Sequence, residues 1–439
     1  MNLLDSTRDT VENPRRIAVI GAGYVGIPTA VMLAHFGHSV VLAERDAFRR
    51  ETLAAGQCPI LEDGLEPVIA STLASGCLTI SGSASEAVEG ADFVFLCVAT
   101  PMDNDGRADL SFIDAVTNEI RTSLADHAIV VNKSTVPVGT MERVSALIGR
   151  PSIRVVSNPE FLREGTALAD SLAPDRIVVG ADDPKAAEAV AELFAATKAP
   201  VIVTDSTTSE LIKYASNAFL ATKLSFINTM SRLCDSLGAD AVELVRGVGA
   251  DHRIGYNFLN PGPGWGGSCL PKDTSALVAI AADAGIHLDV VRAAIEANDS
   301  QQRHIVRHIV ELAGTSSPVV TVLGLAFKAH TGDRRDSPAL AIAHLLQAAG
   351  ASVQAYDPTV GAGDTATDLE GIVTFDSVND AVQGAHVVAV LTEWPEFRSI
   401  DWSALKSSVA NPAVYDARNV VDGDLVASLG YAFRAVGRA

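Results

Sequence analysis

The chain is poor in cysteine and aromatic side chains and contains no long apolar run. Its five cysteines are scattered over 439 residues, odd in number and without the spacing of metal ligands. This usage is typical of reduced thiols in a cytoplasmic protein, and it predicts neither a disulfide framework nor a metal site. No run of about 18 apolar residues predicts a membrane span. Residues 1–14 lack the apolar segment of a signal peptide and are predicted to be a flexible tail.

Basic residues are also scarce. Lys and Arg number 33 against 53 Asp and Glu, which gives a net charge of −20. This balance argues against nucleic acid and anionic membranes as partners. It does not exclude a small anionic ligand, because a single site can be locally basic. The length predicts two to four domains, and the 48% hydrophobic content is enough for each to bury a core.

Short apolar runs alternate with helical patterns in both halves of the chain, and this alternation predicts parallel sheets. The predicted strands lie at 16–21, 38–44, 93–99, 128–133, 153–157, 176–180 and 201–204, and later at 319–327, 351–357, 386–392 and 413–418. Between the two sets the pattern is helical, with one long helix predicted over 209–238. The predicted fold is α/β, with two Rossmann-like doubly wound parallel-sheet domains joined by an all-helical central domain. The predicted boundaries are 15–205, 206–312 and 313–439.

The hexapeptide GAGYVG (21–26) fits the dinucleotide fingerprint G-x-G-x-x-G between a strand and a helix. Gly21 permits the tight turn, Gly23 allows close approach of the pyrophosphate, and Gly26 allows the helix to pack on the strand. Glu44 ends the second strand 23 positions after Gly21, where a carboxylate binds the ribose hydroxyls and repels a 2′-phosphate. We therefore predict NAD rather than NADP, although Arg45 and Arg49 are candidates to pair with a 2′-phosphate. The C-terminal unit lacks the glycine triad, so no second dinucleotide site is predicted.

A second motif, GWGGSCLPKD (264–273), surrounds Cys269 with glycines, a proline and two charged residues. Pro271 suits the first turn of a helix, which places Cys269 just ahead of a helix N-terminus. The helix dipole and Lys272 would there favour the thiolate. A reactive thiol on a chain with a dinucleotide fingerprint indicates covalent redox chemistry.

With these two motifs, the chain resembles the UDP-glucose/GDP-mannose dehydrogenase family. The resemblance covers nearly everything after the first 15 or so residues. It is carried, in order, by GAGYVGIPTA (21–30), GQCPILEDGL (56–65), KSTVPVGT (133–140), NPEFLREGTALAD (158–170), ELIKYASNAFLATKLSFIN (210–228), DHRIGYNFLNPGPGWGGSCLPKD (251–273), GLAFKAHTGDRRDSP (324–338), LTEWPEF (391–397) and YDARN (415–419).

Family membership implies an NAD-binding domain, a helical domain that forms dimers and a nucleotide-binding domain. It also implies the oxidation of a primary alcohol of a nucleotide sugar to a carboxylate with two NAD. In this reaction the cysteine holds the intermediate aldehyde as a thiohemiacetal and then as a thioester.

The resemblance also implies roles for individual residues. The groups implied in the chemistry are Cys269, Lys213, Asn217, Asp273, Glu160 and Thr135. Those implied in NAD binding are Gly21, Gly23, Tyr24, Val25, Gly26, Glu44, Arg49, Thr100, Pro101, Thr135, Glu164, Lys272 and Arg335. Those implied in sugar-nucleotide binding are Glu160, Phe161, Leu162, Arg163, Glu164, Lys213, Asn217, Arg253, Phe258, Leu259, Asn260, Gly264, Gly266, Lys328 and Arg418. Arg253 is expected to reach the sugar site of a neighbouring subunit.

Several alternatives stay open. Glu160 is expected to activate water, but the roles of Glu160 and Glu164 can be exchanged. GGSC followed by LPKD favours the glucose type of substrate over the N-acetylmannosamine type, with TDP-glucose and GDP-mannose as alternatives. A single-step β-hydroxyacid dehydrogenase and a binding protein without activity are the rivals outside the family reaction.

Overall fold

The computed structural model of the chain describes Val11 and residues 13–438. Most of the predicted tail, residues 1–10 and 12, lies outside the described residues. The chain divides into two compact units. The first contains the described residues up to Ser216 together with Ser275–Asp283, and the second contains Asn217–Thr274 and the described residues from Ala284 onward. The predicted helical domain contributes to both units, so its boundaries stay a prediction.

The first unit is built on one sheet. Its strands are β1 (Arg16–Ile20), β2 (Ser39–Ala43), β3 (Leu78–Ser81), β4 (Phe93–Leu96), β5 (Ile129–Asn132), β6 (Arg154–Ser157), β7 (Ile177–Gly180) and β8 (Val201–Thr204). Among the described residues the sheet has eight strands in the order β3-β2-β1-β4-β5-β6-β7-β8. Neighbours run parallel except β6 and β7, which pair antiparallel at Ser157 and Gly180.

Helices cover both faces of this sheet. They are α1 (Gly26–His35), α2 (Ala47–Ala54), α3 (Leu65–Ala74), α4 (Ala84–Ala87), α5 (Ser111–Ile120), α6 (Thr140–Ile148), α7 (Ala167–Leu172) and α8 (Pro184–Glu192), with a 3-10 turn at Ala195–Thr197. Side chains alternate along β1, so Ile17 and Val19 enter one core cluster and Ala18 and Ile20 enter another. Both faces of the strand are buried, as a doubly wound sheet requires.

The second unit repeats this plan. Its strands are β9 (Val319–Leu323), β10 (Ser352–Tyr356), β11 (Ile372–Thr374), β12 (Val387–Val390), β13 (Ala413–Asp416) and β14 (Ala432–Ala435). Among the described residues they form a six-stranded parallel sheet in the order β11-β10-β9-β12-β13-β14. The predicted α/β class, with two Rossmann-like sheets and a helical segment between them in the chain, is confirmed.

The remaining helices follow in chain order. They are α9 (Ser206–Leu237), α10 (Ala241–Gly249), α11 (Leu270–Asp283), α12 (Asp289–Ala313), α13 (Pro338–Ala348), α14 (Val378–Ala381), α15 (Trp402–Leu405) and α16 (Gly423–Ser428), with 3-10 turns at Thr367–Leu369 and Pro395–Ser399. Local signals explain several of their starts. The Ser337 hydroxyl accepts a hydrogen bond from the Leu340 N–H and Pro338 occupies the first turn, so a capping serine followed by a proline defines the start of α13.

Candidate functional site

The glycine-rich turn between β1 and α1 has the geometry that its sequence predicts. Gly21 has a φ of 99°, a conformation that side chains other than glycine rarely adopt. A Cβ atom on Gly26 would overlap the Gly21 carbonyl oxygen, whereas one on Gly23 would meet no atom within 4 Å. Helix α1 begins without a side-chain cap, so no side chain is bonded to its N-terminal end, where the helix dipole favours an anion. The turn therefore fits a pyrophosphate at Gly23.

Glu44 lies directly beside this turn. One carboxylate oxygen accepts a hydrogen bond of 3.0 Å from the Ala22 N–H, and the other accepts one of 2.9 Å from the Asp46 N–H. Since β1 and β2 are parallel neighbours, the ends of both strands bring Glu44 to the fingerprint although 23 positions separate it from Gly21. The carboxylate is thus placed where the sequence predicts a ribose ligand.

Two further predicted cofactor residues meet where β4 and β5 end. The Thr100 hydroxyl donates a 2.8 Å hydrogen bond to the Thr135 carbonyl oxygen, and both residues are buried. The Ser134 hydroxyl fixes the same loops by donating to the Val98 carbonyl oxygen at 2.7 Å. The carboxyl ends of the central strands thus form one polar edge, which is where doubly wound sheets bind ligands.

A buried ion pair joins two of the predicted catalytic residues in the first unit. The Lys213 Nζ lies 2.8 Å from the Glu160 Oε1, and both side chains are almost completely buried. Burial alone raises the pKa of Glu160, but the ammonium of Lys213, the N–H of Leu162 and the ammonium of Lys133 together hold that pKa below its ordinary value. Glu160 is therefore an ionised carboxylate at neutral pH, as a base requires.

Lys133 is a member of this cluster that the sequence did not single out. Its Nζ donates a 3.0 Å hydrogen bond to the Asn158 Oδ1, and the side chain is buried. Burial lowers the pKa of Lys133, while the neighbouring Cys97 and Glu160 act in the opposite direction. Burial also raises the pKa of Cys97 to about 12, so this thiol is neutral and unreactive. The only available signal was the presence of Lys133 in the KSTVPVGT motif.

The segment that follows Glu160 folds back on itself. The Leu162 N–H donates a 2.5 Å hydrogen bond to the second Glu160 oxygen, and the Arg176 guanidinium lies 3.6 Å from the centre of the Phe161 ring. Arg163 forms an ion pair of 2.5 Å with Asp170. Glu164 is half-buried next to these residues. Their predicted contacts with the sugar or the cofactor stay predictions.

In the second unit, Cys269 stands immediately before α11, so the predicted position ahead of a helix N-terminus is confirmed. Its sulfur lies 3.6 Å from the Ser268 hydroxyl. The buried Asp273 carboxylate accepts a 2.6 Å hydrogen bond from the Asn217 amide and pairs with the Lys272 ammonium at 2.5 Å. Three predicted site residues are thus joined through Asp273 within one turn of the cysteine.

The glycine-rich loop before Cys269 is held by buried amides that the sequence did not single out. The Asn228 Oδ1 accepts a 2.8 Å hydrogen bond from the Gly262 N–H, and the Gln301 amide donates to the Gly262 carbonyl oxygen at 2.9 Å. Asn298 exchanges hydrogen bonds of 2.8 and 3.0 Å with the backbone of Trp265. Helices α9 and α12 therefore fix the loop that is predicted to wall the nucleotide.

The same loop admits no side chain at its predicted glycines. A Cβ on Gly266 would overlap the Asp336 carbonyl oxygen, and one on Gly264 would lie 2.7 Å from the Asn298 Oδ1. Leu259 is buried, Phe258 is half-buried with a φ of 57°, and Asn260 is exposed.

The predicted basic residues of the second unit differ in their surroundings. Arg418 donates hydrogen bonds of 2.9 Å to the carbonyl oxygens of Leu391 and Phe327 and pairs with the Glu393 carboxylate at 3.0 Å, which fixes its guanidinium. Lys328 lies with its Nζ 5.5 Å from the centre of the Phe327 ring. Two exposed arginines are paired within their own loops. These pairs are Arg253 with Asp251 at 2.6 Å and Arg335 with Asp333 at 2.5 Å.

The acidic residue beside the turn after β9 differs from Glu44 in its surroundings. Asp357 follows β10 as Glu44 follows β2, but its carboxylate is buried and accepts hydrogen bonds from the N–H groups of Leu325 and Ala326 at 2.7 and 3.0 Å. The Trp394 indole donates to the same oxygen at 3.1 Å. This acidic group is committed to the fold and cannot serve a ribose.

Among the described residues, no helix combines the length and the apolar character needed to cross a bilayer.

Two doubly wound units, the first with a glycine-rich turn and an acidic residue after its second strand, define a Rossmann-type dinucleotide-dependent dehydrogenase. Three domain models of one family match the chain. They are those of the UDP-glucose/GDP-mannose dehydrogenase family, with its NAD binding domain at 15–198, its central domain at 207–300 and its UDP binding domain at 321–423. The chain belongs to the UDP-glucose/GDP-mannose dehydrogenase family.

Curated relatives and solved structures resemble the chain over nearly its whole length. It is 43% identical to the UDP-glucose 6-dehydrogenase of Rhizobium meliloti (strain 1021), covering 96% of this chain and 99% of the relative. It is 40% identical to the UDP-glucose 6-dehydrogenase TuaD of Bacillus subtilis (strain 168), covering 97% and 93%. The structure of a UDP-glucose dehydrogenase from Pyrobaculum islandicum matches with a TM-score of 0.89 and 35% identity, covering 97% of this chain and 98% of that one.

Proposed function

We propose that the chain catalyses the NAD-dependent four-electron oxidation of UDP-glucose to UDP-glucuronate. The observation that carries this proposal is Cys269 at the start of α11, one turn before an Asp273 carboxylate that is bonded to Asn217 and Lys272. The names of the relatives support UDP-glucose as the substrate, because several relatives that are 36–43% identical to the chain are called UDP-glucose 6-dehydrogenase. The C-terminal match to a UDP binding domain supports the nucleotide.

NAD fits the first unit on the geometry described above. The backbone at Gly21, Gly23 and Gly26 would hold the pyrophosphate, and Glu44 would hold the ribose, with Tyr24, Val25, Arg49, Thr100 and Pro101 around them. When bound, NAD accepts one hydride in each of the two oxidation steps. Each oxygen of Glu44 accepts one hydrogen bond from a backbone N–H, and its remaining lone pairs would accept hydrogen bonds from the ribose hydroxyls.

Cys269 supplies the covalent step. A base, for which Lys213 is a candidate, removes the proton of the C6 hydroxyl as the first hydride leaves, which gives an aldehyde. The sulfur then adds to the aldehyde carbon, and the resulting tetrahedral thiohemiacetal can lose a second hydride where a planar aldehyde cannot. The product of that step is a thioester. Water cleaves it to release the carboxylate and regenerate the thiol.

The polar residues around the reacting carbon have two proposed roles. Some stabilise the oxyanion, and others activate water. Lys213 and Asn217 lie four residues apart on α9, and a cation and an amide donor suit a developing oxyanion. Glu160, ionised beside Lys213, activates water together with Thr135 and Asp273. Glu164 contacts sugar or cofactor, and an exchange of roles between Glu160 and Glu164 is the alternative.

Other residues of the second unit would bind the sugar nucleotide. Lys328 and Arg418 approach the diphosphate, the loop from Phe258 to Gly266 walls the nucleotide, and Arg335 reaches the cofactor. Among these assignments, the contact of Arg418 with the diphosphate has the best structural support, because two carbonyl oxygens fix its guanidinium. We further propose the three-domain division at 205/206 and 312/313, and homodimers or higher homo-oligomers formed through the helical segment. A cytoplasmic location is proposed in keeping with the five free cysteines.

A panel of nucleotide sugars tests the function. UDP-glucose should yield two NADH per molecule of acid, and Cys269→Ala should reduce turnover severely. A stalled enzyme should carry a sugar adduct on Cys269 in mass spectrometry. Preference for TDP-glucose or GDP-mannose would move the substrate within the family. One NADH per substrate with an active Cys269→Ala enzyme would establish a single-step dehydrogenase instead, and tight binding without NADH would indicate a protein without activity.

A further inference from the structure

A cluster of two histidines and one aspartate lies in the second unit, apart from the residues assigned to the reaction. His304 and His308 are four residues apart on α12, so they share one face of the helix, and Asp235 comes from α9. One ligand atom of each residue lies within 4.8 Å of the corresponding atoms of the other two. Each of the three side chains is partly accessible to solvent, so an ion can reach them.

The distances in this cluster fit a metal ion. The His304 Nε2 lies 3.2 Å from the Asp235 Oδ2, and the two imidazole rings have their centres 4.1 Å apart. Two ligands that each bind an ion at about 2.0–2.1 Å in tetrahedral geometry are separated by roughly 3.3 Å. The His304–Asp235 pair already has this separation, and the ligand atom of His308 lies within 4.8 Å of both partners.

Tyr415 adds a second, independent observation at the same place. Its ring packs edge-on against His308 with centres 6.3 Å apart, and it is fully buried. Its hydroxyl has no hydrogen-bond partner within the part of the chain that the structure describes. A hydroxyl without a partner can donate to a ligand at this position, for example to a metal-bound water.

We propose that Asp235, His304 and His308 form a binding site for one divalent transition metal ion of the zinc class. Two imidazoles and a carboxylate are ligands that Zn²⁺ and Co²⁺ accept, whereas Mg²⁺ and Ca²⁺ require more oxygen ligands. The nearby Arg434 guanidinium lies 3.3 Å from the Glu311 carboxylate, which offsets its repulsion of a cation.

The ion would stabilise one particular part of the fold. It would join α9 to α12, and His304 lies one turn beyond Gln301, which holds the Gly262 carbonyl oxygen. The metal site would thus stabilise the helix pair that fixes the nucleotide loop. No sign of this site was visible in the sequence, because none of its ligands is a cysteine. They come from two helices about 70 positions apart in the chain.

Metal binding to the full-length protein, without a polyhistidine tag and after treatment with a chelator, tests the proposal. We expect one equivalent of Zn²⁺ per chain and a higher thermal midpoint with Zn²⁺ than without it. Co²⁺ should give the visible spectrum of nitrogen and oxygen ligands without a thiolate charge-transfer band. The Cys269→Ser protein should bind the same equivalent, because its removed thiol is not a ligand.

Ligand variants identify the site. His304→Gln and His308→Phe, which keep polar contact and ring packing respectively, should each weaken Zn²⁺ binding at least about tenfold. His287→Gln is the matched control, since the exposed His287 also lies 3.2 Å from an aspartate, Asp289. Unchanged affinity in both ligand variants would overturn the proposal. Absence of a saturable equivalent in the wild type, or a thiolate band with Co²⁺, would overturn it without any variant.

Discussion

The ammonium of Lys133 is one of the groups that lower the pKa of Glu160. Methionine at this position keeps an unbranched side chain and removes the ammonium that helps to hold the pKa of Glu160 low. In Lys133→Met we therefore expect this pKa to rise and the acid limb of the kcat–pH profile to move to higher pH. Lys185→Met, on the exposed side of α8, should leave the profile unchanged. An acid limb at the wild-type position in Lys133→Met would show that this ammonium does not act on the base.

Glu210 carries a pH-dependent contribution to stability. Its carboxylate accepts hydrogen bonds from the N–H groups of Gly139 and Met141 at 2.8 and 3.0 Å, yet burial raises its pKa to about 7 from an ordinary 4.5. The folded state therefore holds this proton more tightly than the unfolded state. The stability it contributes is complete below pH 4.5 and is lost as the pH rises towards 7, by about 3 kcal/mol at most.

Thermal midpoints measured between about pH 5 and 8 test this sign. The wild-type midpoint should fall with rising pH, and the fall should be smaller in Glu210→Gln, which cannot ionise. Glu188→Gln, exposed on α8, should follow the wild type. Parallel curves for wild type and Glu210→Gln would mean that this carboxyl does not titrate differently in the folded chain.

The residues that the sequence missed are polar and buried. Lysine, asparagine and glutamine are usually exposed, so nothing in the local pattern marks Lys133, Asn298 or Gln301 as interior. Their burial depends on partners 25 to 39 positions away along the chain, such as Asn158 for Lys133 and Gly262 for Gln301. Motif residues such as Gly21 and Glu44 were predictable because the turn imposes its requirement within one βαβ unit.

At the scale of elements, the central strands and the edge strand β8 were predicted, whereas the other three edge strands were missed. Strands β1, β4 and β12 are buried on both faces and appear in the sequence as continuous apolar runs. The missed strands, β3, β11 and β14, are short, lie at the edges of their sheets and expose part of their side chains. Their apolar signal is too weak to distinguish them from loops, so only the pairing with a neighbour defines them.

The turn between β1 and α1 offers a matched pair of glycine variants. Gly26→Ala places a methyl group against the Gly21 carbonyl oxygen and 3.2 Å from the Cys97 Cβ, so we expect a lower thermal midpoint and a cost of about 1–3 kcal/mol. Gly23→Ala places a methyl group that meets no atom of the described residues within 4 Å. It should keep the wild-type midpoint while the KM for NAD rises about tenfold or more, which corresponds to about 1.4 kcal/mol.

The KM for the nucleotide sugar serves as the internal control for this pair, and Gly23→Ala should leave it near the wild-type value. A Gly23→Ala protein with normal NAD affinity would contradict the position given to the pyrophosphate. A Gly26→Ala protein as stable as the wild type would show that the turn can relax around a methyl group.

At the scale of the whole molecule, two sheets of the same strand order carry different chemistry. The order 3-2-1-4-5-6 occurs in both units, and both turns after the first strand begin with a glycine of positive φ, Gly21 and Gly324. What differs is the acidic group after the second strand: Glu44 is partly exposed, whereas Asp357 is buried and bonded to the turn and to Trp394. The fold alone therefore does not determine the ligand, and the sequence prediction of a single dinucleotide site depended on the glycine triad.

The long helix α9 carries an apolar stripe that the other described residues leave exposed. Phe219, Phe226, Leu233 and Leu237 recur at helical spacing and are between 47% and 72% exposed. Such a stripe is typical of an interface between subunits. We expect light scattering to give the wild type at least twice the 45.8 kDa of one chain, and Phe226→Asp to shift it towards the monomer. Leu425→Asp, a matched substitution of an exposed apolar residue on α16, should leave the mass unchanged.

Activity should change together with this dissociation if Arg253 acts on the sugar site of a neighbouring subunit. Phe226→Asp should then lose most of its turnover at concentrations where it is monomeric. Arg253→Ala should keep the mass of the wild type, because the exposed Arg253 contacts Asp251 of its own loop, but its KM for the nucleotide sugar should rise. A monomeric Phe226→Asp protein with full activity would show that each chain completes its own site. A wild type that is monomeric at working concentration would remove the interface itself.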